Sequence, residues 1–98
     1  MDDATFRQVA DEHAAAVHRG DFDAVAADFV PEMQAALPEI AKALPNPVES
    51  AEVLSTEVGD DESVAQIRYS GTDGSAVTIR SHWRQVDGRP LIFQGEPI

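Results

Sequence analysis

The chain contains no cysteine, so it forms no disulfide and offers no thiolate to a metal or a substrate. Basic residues are scarce: seven Lys and Arg stand against eighteen Asp and Glu, a formal charge of −11. That balance works against binding a nucleic-acid backbone, where affinity comes from cationic side chains displacing counterions, and against anionic membrane surfaces. No apolar run approaches the ~20 residues that a membrane-crossing helix needs. The start, Met1-Asp2-Asp3-Ala4-Thr5-Phe6, is acidic and lacks an apolar signal core. The expectation is a cytoplasmic protein without nucleic-acid or membrane partners. Phosphate-cradling glycine loops and a strained serine elbow are also missing. Metal ligation is poorly supported: His13 and His18 are five apart, off the spacing that shares a helix face. Asp60-Asp61-Glu62 lacks the alternation of a calcium loop. No metal and no cofactor are expected.

What is present is a single change of hydrophobic period near residue 47. Before it, apolar residues recur every three or four positions; after it, they alternate between Gly and Asp turns. Thr5 and Gln8 have capping-box spacing, and the first helix carries Phe6, Val9, Ala10, His13, Ala16 and Val17 on one face. Gly20 suits a left-handed helix end, and Asp21 then caps a second helix with Phe22, Val25, Ala26 and Phe29 as its buried face. Pro31 stops that helix by pushing Val30 toward extended geometry. Met33, Leu37, Ile40 and Leu44 keep one face through a third helix that Pro38 kinks, and Pro45-Asn46-Pro47 ends it.

Four strands are predicted near residues 48–58, 63–70, 75–86 and 90–95, with turns at 59–62, 72–74 and 87–88. A three-residue Thr72-Asp73-Gly74 loop sets Tyr69 opposite Val77 and Ile67 opposite Ile79. Ala65, Ile67, Tyr69, Val77, Ile79 and Trp83 then share the side facing the helices, and a slip of one residue would scramble that set. Val64, Gln66, Arg68, Thr78, Arg80, His82 and Arg84 fall on the other side. Leu91, Ile92 and Phe93 are apolar in succession, so both faces of the last strand require cover. Helices supply one cover; a second subunit packed sheet to sheet is the expected other. The reading is one α+β domain over 1–98, with three N-terminal helices on a curved four-stranded antiparallel sheet and room for one modest cavity between the layers.

This order of elements, with Gly20-Asp21-Phe22-Asp23 opening the second helix and Gly88-Arg89-Pro90-Leu91-Ile92 in the last hairpin, resembles the nuclear transport factor 2-like (cystatin-like α+β) superfamily. The resemblance implies the helices-on-sheet fold and spans nearly the whole chain. The superfamily includes ketosteroid isomerases, polyketide cyclases and scytalone dehydratase beside members with no known reaction. Its enzymes usually place a strand pair after the second helix, near their general-base carboxylate. Here Pro31 leads straight into the third helix, so no catalytic Asp carries over, and the reduced layout looks more like the small binding or association members.

His13 lies on the inner stripe of the first helix, where an imidazole can act as a base or a ligand hydrogen-bonding group, or simply sit in the core. No carboxylate is placed by sequence to orient it. Tyr69 and Trp83 on the inner face can hold a flat apolar ligand or fill the core. Arg68, Arg80, His82 and Arg84, with Leu91 and Phe93, suit a dimer interface, a solvated face or an anion site; Glu52 or Glu57 is the candidate neutralising partner. The favoured reading is a non-catalytic homodimer binding an apolar or weakly acidic small molecule through His13, Tyr69 and Trp83. One alternative is an isomerase, cyclase or dehydratase using His13 for proton transfer and Tyr69 as oxyanion donor. Another is an acidic inhibitor or immunity-type domain that binds a basic protein.

Overall fold

The computed structural model describes all 98 residues. It is an α+β fold: helix α1 (Asp3–Arg19), helix α2 (Phe22–Ala27), a 3-10 turn (Pro31–Ala36), helix α3 (Leu37–Lys42), then strands β1 (Val48–Val58), β2 (Ser63–Gly71), β3 (Ala76–Val86) and β4 (Arg89–Pro97). The strands form one antiparallel meander in the order β1-β2-β3-β4. Only α1 is long, at 17 residues; α2 and α3 have six each.

Helix α1 starts three residues before the Thr5–Gln8 pattern suggests. Asp2 is its cap, and its Oδ1 accepts from the Thr5 N–H at 2.7 Å. Gln8 bonds Glu12 one turn on instead of closing a capping box. An acid at the cap satisfies an orphan N–H and meets the positive helix end, so either capping site is chemically adequate and the longer helix wins. At the other end Gly20 is left-handed, with φ 72°. Asp21 caps α2 through a bond from the Ala24 N–H.

Two expectations for the second and third helices are corrected. Phe22 is 72% exposed, not part of a buried face. A six-residue helix turns less than twice, so periodicity cannot fix which way it faces. The third helix is not one kinked rod. Residues 31–36 are 3-10, and Pro38 sits in the first turn of a separate α3. A proline is tolerated there because that turn's N–H groups have no helical acceptor. Met33, Leu37, Ile40 and Leu44 still pack on the core across the junction.

The sheet follows the predicted register, with Tyr69 opposite Val77 and Ile67 opposite Ile79. Gly74, at φ 86°, supplies the left-handed turn residue that this pairing needs. Asp87 and Gly88 both have positive φ, as a two-residue hairpin between right-twisted strands requires. Between β3 and β4 the register shifts: Trp83 pairs with Ile92 but His82 with Gln94, leaving Phe93 as the extra residue of a bulge. Leu91, Ile92 and Phe93 simply alternate outward, inward and outward, and the bulge then brings Gly95 rather than Gln94 to the inner side. Ile92 points inward and is 2% exposed, while Phe93 packs on the outer side, against His82 and Arg84.

The core sits between α1 and the sheet. Ala10, Ala14 and Ala65 are essentially buried, and such small side chains let the helix backbone approach the strands closely. Phe6 and Trp83 fill the space beside them, edge to face at 5.7 Å. The segment after α2 closes the last strand's free edge: Phe29 bridges Ile92 in parallel, Val30 N–H donates to the Ile92 carbonyl and Ile92 N–H to the Asp28 carbonyl. No helix is long and apolar enough to cross a membrane.

Candidate functional site

A cavity of about 120 Å³ lies between the layers, beyond the end of the tightly packed part of α1. Helix α1 contributes His13 and Val17; α2 and the segment after it contribute Phe22, Val25 and Phe29; α3 and its exit contribute Ile40, Ala41 and Leu44, with Leu37 at the start. The sheet supplies Ile67, Tyr69, Ile79, Ser81, Ile92 and Gly95 as the floor. On β2 and β3 these are alternate residues, so the period-two pattern itself builds the wall; on β4 the bulge sets Gly95 three positions after Ile92. Twelve of the fifteen lining residues are hydrophobic.

His13 and Tyr69 therefore face one space. Tyr69 is 3% exposed, and burial pushes its phenol well above the ordinary value, so it stays a neutral O–H donor. No fully enclosed polar side-chain atom lacks a partner, and the Tyr69 hydroxyl has none within the protein, so it opens onto the cavity. Trp83 does not line this space. It is completely buried behind His13, edge to face at 5.5 Å, and its indole N–H donates to Ser81 Oγ at 2.9 Å. Ser81 in turn donates to the Ala65 carbonyl at 3.0 Å. Trp83 supports the site from behind rather than touching what enters it.

A residue that periodicity did not reveal completes the arrangement. Asp28 Oδ2 lies 2.8 Å from His13 Nδ1, and its other oxygen accepts from Arg89 at 3.2 Å. A carboxylate only accepts, so the proton of the neutral imidazole sits on Nδ1 and Nε2 keeps its lone pair. Asp28 caps the end of α2, and the Phe29–Ile92 bridge is what carries it to His13. The signal available in the sequence was only a helix ending one turn before a proline.

On the opposite side of the sheet, Arg80, His82, Arg84, Leu91 and Phe93 do gather on one face. Glu52 stands opposite Arg68 in the β1–β2 register, but the acids that bond His82 and Arg84 are others. Glu62 lies 2.9 Å from His82 Nδ1 and Glu96 lies 2.8 Å from Nε2, while Glu32 meets Arg84 at 3.1 Å. Burial disfavours the His82 imidazolium, but the bonds to Glu96 and Glu62 outweigh it and raise the pKa above 6.5; the His82 bond lowers that of Glu96 below 4.5. Both ring nitrogens of His82 are thus committed, and no group of three His, Asp or Glu is arranged to hold a metal ion.

The fold and cavity define a small α+β protein, a helical layer over a four-stranded antiparallel meander, with an apolar interlayer site carrying two free polar groups. Comparison with known proteins finds no matching family model, no similar curated protein and no similar solved structure.

Proposed function

We propose that the chain is a nuclear transport factor 2-like module that binds a compact apolar molecule between its layers. The observation that carries this reading is the pairing of an apolar cavity with a neutral, unpartnered donor, the Tyr69 hydroxyl. A site of about 120 Å³ is below the roughly 300–1,000 Å³ of drug-sized pockets and close to the ~150 Å³ that holds benzene. The ligand is therefore a single ring or a short alkyl segment, held more tightly where it also carries an oxygen that accepts from Tyr69. Calorimetry with 1-octanol is the test: saturable binding is expected, weakened about fivefold to tenfold by Tyr69→Phe, the worth of one net hydrogen bond. Absence of binding to the wild type would overturn the reading.

Proton transfer is the second reading, favoured by Asp28 at 2.8 Å from His13. It uses the same cavity, with Nε2 as base and Tyr69 as donor to a developing oxyanion.

Two copies pair through the outer sheet face in this proposal. No helix covers that face, and Val64, Leu91 and Phe93 remain only half-buried on it. Concentration-dependent sedimentation should show a dimer that Phe93→Asp dissociates; a wild type that stays monomeric at micromolar concentration removes this part.

A further inference from the structure

The mouth of the cavity is electrically unlike the rest of the chain. Val17, Phe22, Ala41 and Leu44 line both the cavity and an open groove of about 640 Å³ on the outside, so the two spaces adjoin at those four side chains. The charged or titratable residues lining that groove are His18, Arg19 and Lys42; no Asp or Glu lines it. In a chain with eighteen acids and seven Lys and Arg, this is a local reversal of sign. Basic residues in a last helical turn are ordinary, because they answer the helix dipole. The helix dipole does not account for the last turns of α1 and α3 meeting at one groove with an apolar floor.

The two full cations are held loosely. Arg19 meets Asp21 and Lys42 meets Glu39, each at 3.3 Å, with all four side chains at least 43% exposed. Pairs of that kind contribute little and exchange partners readily. Phe22, 72% exposed, stands in the same mouth. An exposed phenylalanine there offers apolar surface to a chain lying across the entrance.

We infer that the groove and cavity together form a site for an amphipathic carboxylate: a short alkyl or aryl carboxylate with its apolar end between the layers and its anion against Arg19, Lys42 and His18. This inference rests on the binding reading above and adds the ligand's charge to it. Neutral molecules enter the same cavity but gain nothing from the mouth, and the −11 charge of the whole chain disfavours anions over most of its surface.

The experiment compares octanoate with 1-octanol on the wild type and on a double variant, Arg19→Gln with Lys42→Gln, whose fold is confirmed by circular dichroism. The double variant is expected to lose about fivefold to tenfold in octanoate affinity, as two exposed charge contacts are worth, and less than about twofold in octanol affinity. Octanoate affinity unchanged by the variant, or octanol affinity falling equally, overturns the anion site while leaving the cavity reading intact. Failure of both probes to bind the wild type overturns both.

Discussion

Trp83→Ala is expected to cost about 3–5 kcal/mol, the range for truncating a buried large aromatic. The residue is fully buried, touches Phe6 and His13 edge to face, and anchors Ser81 through its indole N–H. A domain of this size has a total stability of only about 5–15 kcal/mol, so a large fraction of it goes with one side chain. At roughly 4–8 °C per kcal/mol, the melting temperature falls by about 12–40 °C. Urea unfolding followed by far-ultraviolet circular dichroism measures this without the lost fluorophore. Trp83→Phe keeps most of the ring contacts and gives up the N–H bond, and it should lose less than half as much. A cost below about 1 kcal/mol for Trp83→Ala is incompatible with the packing described here.

The same residue shows what patterning can and cannot resolve. Tyr69, Ile67 and Trp83 face the helices because alternation along β2 and β3 and the left-handed Gly74 turn admit only one register that buries them. Which of them touch a ligand depends on helix placement, which alternation does not encode. Trp83 falls under the tight Ala10–Ala14 part of α1, and Tyr69 falls where α1 gives way to α2 and α3. Phe22 departs from the expected buried face for a related reason. Its helix is too short for a stripe to define a face, and it ends at the mouth of the site instead of in the core.

Long-range polar partners were the least legible. Glu62 and Glu96 reach His82 from a turn and a strand end, 20 and 14 residues away. Both distances follow from the hairpin geometry, yet nothing in local composition marks these two acids among eighteen. The apolar run Leu91-Ile92-Phe93 was informative in the opposite sense. It required cover on both sides of β4, and strand alternation distributes it so: Ile92 to the core, Phe93 to the outer face beside Arg84.

Asp28→Ala is expected to produce the second large effect, because three tethers meet at that side chain's position. Its carboxylate holds His13 on α1 and Arg89 in the last hairpin, and its carbonyl accepts from Ile92 N–H at 2.7 Å. The backbone bond survives the substitution; the two side-chain contacts do not. His13 is 5% exposed, so its Nδ1–H is left without a partner in the interior, at a cost of about 1–3 kcal/mol. The Arg89 contact is half-exposed and adds little. Asp28→Asn separates structure from chemistry. Its amide oxygen can still accept from Nδ1–H, which should recover most of the stability, but its NH₂ can equally turn toward the ring and favour the proton on Nε2. In that tautomer the lone pair faces Asp28 and the cavity meets an N–H. If proton transfer is the activity, exchange of the α-protons of a bound ketone for deuterium, followed by NMR, should slow at least about a hundredfold in Asp28→Asn while ketone affinity changes little. If binding is the whole function, the wild type shows no exchange above buffer, and only the preference between hydrogen-bond donors and acceptors as ligands shifts. Wild-type exchange that Asp28→Asn leaves untouched would exclude the His13–Asp28 pair as its source.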